Sequence, residues 1–197
     1  MDQLIDRIKS DGYVENDEIL KVDSFINHQV DVNLMLAAGK DIANHFKDQG
    51  ITKVVTIESS GISPALMSAM ALDVPMIVLK KQPSKILNKD LLQTEITSFT
   101  KEINYELTIK NHLINENDHV LIVDDFMANG ETATGALRLI RAAHATVAGV
   151  AVLIEKTFQN GSSKLKEQGI ELYSLAKIKS LKNGKIEFER SVSNPPL

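Results

Sequence analysis

Apolar positions along the chain recur at two periods, and the period separates helices from strands. Leu4, Ile5 and Ile8 share one face of a short first helix, which Gly12 can end. Residues 19–22 suit a short extended piece. A second helix has its apolar face at Leu34, Met35, Ala38, Ile42 and Phe46, with Asp31 placed to cap it and Gly50 to stop it. Uninterrupted apolar runs mark buried strands at 54–57, 76–79, 119–123 and 147–154. Ser63 followed by Pro64 predicts a cap with proline at the first helical position, leading a helix that ends near Leu72. Further helices are predicted over about 133–143 and 164–168.

The remaining segments read as punctuation. Residues 96–109 suit two antiparallel strands and 115–118 a turn. Lys182-Asn183-Gly184-Lys185 predicts a tight hairpin turn, because Asn-Gly readily takes the left-handed conformation. Residues 80–93 carry Lys80, Lys81, Lys85 and Lys89 with little β-branched character. They predict a mobile loop of the kind that often closes over an active site. Residues 191–197 predict a loose tail. Buried strands alternating with helices give an α/β class, a mainly parallel sheet wrapped on both faces. Ligands of such sheets bind at the C-terminal ends of strands, where the strand order switches.

Composition narrows the partners. A chain of 197 residues suits one domain, or one domain with a small appendage, and is long enough for a core without covalent staples. The formal net charge of −4 speaks against non-specific nucleic-acid binding, which needs clustered Lys and Arg. No cysteine is present, so disulfides, thiolate nucleophiles and Cys zinc sites are excluded, and a reducing cytoplasm fits. No apolar run approaches the ~20 residues that span a bilayer. The acidic, amphipathic N-terminus does not read as a signal peptide.

The most informative segment is residues 120–135, VLIVDDFMANGETATG. A buried strand ends in two adjacent carboxylates, Asp124 and Asp125. Neighbouring strand residues face opposite ways, so the two are expected to do different work, and their repulsion calls for hydrogen bonds or a cation nearby. Ala128, Asn129, Gly130, Glu131 and Thr132 then form a small polar loop before a helix. Backbone amides and the positive end of a helix dipole thus converge on one spot, which suits a phosphate. The plain alternative is an acidic turn that caps a helix. The glycine-rich dinucleotide and P-loop motifs and the zinc-hydrolase H-E-x-x-H are all missing from the sequence.

This segment resembles the phosphoribosyl pyrophosphate motif of the type I phosphoribosyltransferases. Asn129 and Glu131 depart from it, since the family more often has Thr and Gly there. A carboxylate at 131 must point away from a bound phosphate. The segments LKVDSFINHQ (20–29), ITKVVTIESSGISPA (51–65) and IEKTFQ (154–159) resemble the bacterial members that act on xanthine. The resemblance implies one domain over residues 1–197, with about 1–30 and 156–190 forming a base-binding hood. It implies a pentosyltransferase of purine salvage that consumes phosphoribosyl pyrophosphate, with xanthine as base, in a cytoplasmic homodimer with no nucleic-acid or membrane partner.

Residue roles follow by the same resemblance. Residues Ala128, Asn129, Gly130, Glu131 and Thr132 would hold the 5-phosphate, and Asp124 and Asp125 would face the ribose hydroxyls and the developing sugar cation. Ser59, Ser60, Gly61 and Lys81 would contact pyrophosphate. Leu20 (through its backbone), Asn27, Lys156 and Phe158 would recognise the base, with Lys156 on an oxo group and Phe158 stacked on the ring. Mg²⁺ would arrive on the pyrophosphate rather than in a protein cage. Other oxopurines, hypoxanthine and guanine, stay open as bases. So does a non-catalytic regulator that senses phosphoribosyl pyrophosphate, although no basic helix for DNA is seen. A phosphoryl-accepting receiver is disfavoured because its acidic pair would end the first strand.

Overall fold

A computed structural model describes residues 1–83, 90–98 and 103–189. The first helix, α1 (Asp2–Asp11), buries Leu4 and Ile8 and stops at Gly12, whose N–H donates to the Ile8 carbonyl. A two-stranded antiparallel ribbon follows, β1 (Tyr13–Glu15) and β2 (Ile19–Lys21). A π-helical turn, Asp23–Asn27, then drives Phe25 and Ile26 into the core. Asp31 caps α2 (Val32–Phe46) by accepting the Leu34 N–H at 3.0 Å.

β3 (Lys53–Ile57) leads through the 59–61 loop into α3 (Ile62–Leu72). This helix begins before the predicted Ser63 cap. Gly61 is the cap residue, its carbonyl accepts the Ala65 N–H at 3.1 Å, and among the described residues the Ser63 hydroxyl has no partner. Pro64 is tolerated because first-turn amides have no intrahelical acceptor in any case. β4 (Met76–Pro83), β5 (Leu91–Ser98) and β6 (Ile103–Lys110) come next. Both ends of the predicted loop at 80–93 are therefore strand instead. Lys80 and Lys81 continue β4 opposite Thr108 and Leu107 of β6, and Leu91 to Gln93 begin β5. Solvent-facing lysines are compatible with strands near a sheet edge. Lys85 and Lys89 and the tail at 191–197 lie outside the described residues.

β7 (His119–Met127) runs four residues past the predicted end, so Asp124 and Asp125 belong to the strand itself. α4 (Glu131–Ala142), β8 (Thr146–Lys156), α5 (Gly161–Glu167), β9 (Leu172–Ser180) and β10 (Glu187–Phe188) complete the chain. Between β9 and β10, Asn183 and Gly184 both take positive φ, 58° and 67°, as Asn-Gly predicts.

The main sheet has the order β10-β9-β8-β7-β3-β4-β6-β5. Its five central strands are parallel, and antiparallel strands flank them. Alternate residues feed two cores. Val54, Leu121, Val123, Ala151 and Leu153 pack with α1, α2 and α3, whereas Val55, Ile57, Ile122, Val150 and Val152 pack with α4 and α5. Burial on both faces is why these strands read as unbroken apolar runs. The chain goes from β3 outward to β4, then returns to place β7 on the other side of β3. That reversal opens a crevice at the C-terminal ends of β3 and β7.

Candidate active site

Two cavities share a wall at the loop between β7 and α4. The first, about 280 Å³, lies in the crevice between the loops after β3 and β7. Ser59, Ser60, Lys81, Asp124 and Asp125 line it, together with Ala128, Gly130, Glu131 and Thr132. The second, about 270 Å³, lies on the far side of that loop. Its walls include Glu18, Ile19, Lys156 and Gln159, and again Ala128, Glu131 and Thr132.

In the first cavity the two carboxylates are held by the backbone. Asp124 Oδ1 accepts the Asp125 N–H at 3.0 Å, and Asp125 Oδ1 accepts the Phe126 N–H at 2.9 Å. Burial pushes the Asp124 carboxyl well above the usual carboxylate range, and the neighbouring Asp125 charge pushes it further. Burial raises Asp125 as well, against its hydrogen bonds. The positive charge of Lys81 pulls both down. Although successive strand residues alternate, both carboxylates line the same cavity, in the last pleats before β7 ends at Met127.

Gly61 makes that geometry possible. A Cβ on it would run into Asp124 Oδ1 and come within 2.5 Å of Thr56 Oγ1, so the 59–61 loop and the carboxylate can share this space only when residue 61 has no side chain. The Glu58–Ser59 peptide is cis. Glu58 Oε1 accepts the Lys81 N–H at 2.5 Å, and its other oxygen lies 3.3 Å from Lys80 Nζ, which ties this loop to β4. Lys81 Nζ sits 5.4 Å from the centre of the Tyr105 ring, and Tyr105 Oη is 3.5 Å from Thr132 Oγ1.

The loop at 128–130 is braced from α5. Gly130 has φ of 80°, and a Cβ there would come 2.9 Å from Gly161 Cα. Gly161 donates its N–H to the Ala128 carbonyl at 2.9 Å. Lys164 Nζ donates to the Asn129 carbonyl at 2.8 Å and lies 3.6 Å from Glu131 Oε1. The carboxylate that looked unfavourable beside a phosphate therefore has its own cation. Among the described residues no acceptor is found for the amides of Glu131, Thr132 and Ala133, the first turn of α4. Three donors at a helix N-terminus suit an anion.

In the second cavity, Lys156 Nζ donates to the Glu18 carbonyl at 2.7 Å and lies 5.9 Å from the Phe126 ring. Burial lowers its pKa, against the Glu18 charge. Leu20 buries its side chain in the core, while its neighbours Glu18 and Ile19 reach the cavity. Three predicted base contacts, Leu20, Asn27 and Phe158, line neither cavity. Asn27 is exposed and its amide donates to Asp23 Oδ1 at 3.4 Å; Phe158 is 45% exposed. Gln159, one residue on from Phe158, lines the cavity instead.

Lys164, Gly161, Gln159 and Tyr105 were not singled out from the sequence. The glycine that starts α5 was the one local signal, since glycine at a helix start can mark a close backbone approach. Among the described residues no group of three or more His, Asp or Glu could hold a metal ion, and no helix is long and apolar enough to cross a membrane.

A family profile described as "Phosphoribosyl transferase domain" matches residues 31–188. The chain is 61% identical over 188 residues to a xanthine phosphoribosyltransferase of Agathobacter rectalis, covering 95% of this chain and 98% of that one. It is 50% identical to the one of Clostridium acetobutylicum, covering 95% and 100%. Among solved structures, adenine phosphoribosyltransferase from Giardia lamblia complexed with 9-deazaadenine has a TM-score of 0.74 at 20% identity, covering 88% of this chain and 97% of that one. The Trypanosoma brucei adenine enzyme, in complex with AMP, pyrophosphate and ribose-5-phosphate, gives 0.73 at 20%, covering 88% and 79%. At these identities the structures speak for the fold alone. A profile spanning most of the chain and near-full-length relatives at half identity or more establish that this protein belongs to the phosphoribosyltransferase family.

Proposed function

We propose that the protein transfers the 5-phosphoribosyl group of phosphoribosyl pyrophosphate to xanthine, giving xanthosine 5'-monophosphate and pyrophosphate. The observation that carries this reading is the pair of cavities meeting at the Ala128–Thr132 wall, one acidic and amide-rich, the other holding a half-buried lysine. Near-full-length relatives at 46–61% identity that bear the xanthine name support the base.

In this reading the unpartnered amides of α4 and the Thr132 hydroxyl hold the 5-phosphate. Ser59, Ser60, Gly61 and Lys81 hold the pyrophosphate. Mg²⁺ would be carried by the pyrophosphate: Glu58, Asp124, Asp125 and Glu131 line the cavity, but among the described residues no three acidic or His groups are placed together to hold a metal ion. The base nitrogen N9 attacks C1 as the bond from C1 to the pyrophosphate oxygen breaks, and the N–H proton of the base leaves to solvent. Positive charge grows on the sugar. Asp124 and Asp125, fixed by backbone amides, stabilise it without having to reorganise. Burial makes the empty pair hold a proton more tightly than ordinary carboxyls do, and a cationic sugar reverses that preference.

Segments 1–30 and 156–190 supply the base side, as a hood. Lys156 donates to O6, which favours oxopurines, because adenine would present a donor to a donor. Such mismatches typically cost ~10⁴-fold or more in a site built for the other partner. A cytoplasmic homodimer completes the proposal, and light scattering of the purified chain checks the oligomer. Pyrophosphate release measured with each purine in turn tests the reaction. The expected order is xanthine, then guanine or hypoxanthine, with adenine essentially inactive. Adenine as the best substrate would overturn both the Lys156 role and the xanthine reading.

A further inference from the structure

The turn that ends β8 decides which side chains reach the second cavity. Gln159 donates its N–H to the Lys156 carbonyl at 3.0 Å, closing residues 156–159 into one tight turn. The turn sends Lys156 and Gln159 into the same cavity and leaves Phe158 outside. Gln159 Oε1 is buried and, among the described residues, has no hydrogen-bond partner. A buried carboxamide oxygen without a donor is costly, so such groups normally meet a partner in the functional state.

We propose that Gln159 is a specificity-determining residue that reads the N1–H and O2 edge of xanthine; this rests on the phosphoribosyl transfer proposed above. A carboxamide offers one acceptor beside one donor. Xanthine presents N1–H beside O2, a donor next to an acceptor, and N1 also neighbours the C6 oxo group assigned to Lys156. Gln159 Oε1 then accepts from N1–H while its Nε2 donates to O2. Hypoxanthine keeps N1–H but has only C–H at position 2, so the Nε2 donor goes unmet. Guanine keeps N1–H and places an amino group at position 2, so donor faces donor. Adenine has no N–H at N1 at all. One side chain thus ranks all four bases, with xanthine alone satisfying both of its polar ends.

The reading makes an unusual demand on a carboxylate variant. Gln159→Glu presents two acceptors, which match the two donors of guanine and repel O2 of xanthine. Gln159→Leu removes both bonds and so removes the advantage of xanthine over hypoxanthine. A bidentate match discriminates by on the order of tenfold to a hundredfold.

The experiment measures kcat/KM for pyrophosphate release from phosphoribosyl pyrophosphate and Mg²⁺ with xanthine, guanine and hypoxanthine, using the full chain as wild type, Gln159→Glu and Gln159→Leu. The expected result is a guanine-to-xanthine ratio raised about tenfold or more in Gln159→Glu, and a collapsed xanthine-to-hypoxanthine ratio in Gln159→Leu. Ratios within one preparation do not depend on the fraction folded, so a purely structural role lowers all three bases together. Unchanged ratios in both variants, on a wild type active with xanthine, overturn the Gln159 role alone. A wild type that releases no pyrophosphate with any oxopurine overturns the proposed reaction instead.

Discussion

β7 with α4 and β8 with α5 are neighbouring copies of one arrangement, a parallel strand, a turn and a helix, yet they present opposite chemistry. The first carries two half-buried carboxylates near its end and a loop that turns through Gly130, and among the described residues the first-turn amides of α4 have no acceptor. The second ends in a lysine and a glutamine, and the Gly161 amide that opens α5 is already bonded to the Ala128 carbonyl. A helix N-terminus attracts anions only while its amides are free. α4 therefore keeps its first amides open toward the cavity, while α5 uses its first amide to brace its neighbour. The same strand–turn–helix topology thus yields an open helix start or a support, depending on where a few N–H groups point.

The comparison is broken most severely at the carboxylates. Asp125→Asn and Asp124→Asn should each lower kcat by on the order of 10²–10³-fold with the fold intact, as steady-state assays and circular dichroism would register. Normal turnover in both variants would remove the assignment. Stability should move the other way. A carboxyl whose pKa is raised on folding binds its proton more tightly folded than unfolded. Its contribution is full below the ordinary carboxylate pKa and is lost as pH rises through the raised value. The melting temperature of Asp124→Asn relative to wild type should therefore climb between pH 4 and pH 8, by ~2–4 °C for each kcal/mol relieved. A gap that shrinks over that range would contradict the burial argument.

Gly61→Ala should act through position rather than charge. The new methyl displaces either the 59–61 loop or Asp124, and a small misplacement of a reacting group costs on the order of 10²-fold. Lys156→Ala should cost about tenfold to a hundredfold in kcat/KM for every oxopurine, the range for a hydrogen bond from a charged donor. Lys164→Met should raise KM for phosphoribosyl pyrophosphate severalfold by uncovering Glu131, and Glu131→Gln in that background should restore it. No recovery in the double variant would mean that Lys164 serves only its bond to Asn129. Asn27→Ala should have the smallest effect, a slight narrowing of the gap between xanthine and hypoxanthine, because Asn27 is exposed.

What was legible in the sequence follows the reach of local pattern. Doubly buried strands such as Val54 to Ile57 announce themselves as apolar runs, and Asp31 and Asn183-Gly184 act through bonds or dihedrals a few residues long. β9 is hidden in the sequence because Lys177 and Lys179 interrupt its apolar positions, although they merely alternate with buried Ala176 and Ile178. The brace escaped because Lys164 meets Asn129 across 35 residues, a separation no short window covers. The choice of Phe158 over Gln159 had a similar cause. Which of two neighbours enters a cavity is set by a single turn hydrogen bond, and composition favoured the aromatic one.

The division of labour between the two units is tested most directly by KM for both substrates in two variants, Thr132→Val and Lys156→Ala. Thr132→Val should raise KM for phosphoribosyl pyrophosphate and leave KM for xanthine nearly unchanged, and Lys156→Ala should do the reverse. If either variant moves both constants equally, or moves the other unit's substrate, the β7–α4 turn does not hold the sugar phosphate apart from the base at the β8–α5 turn.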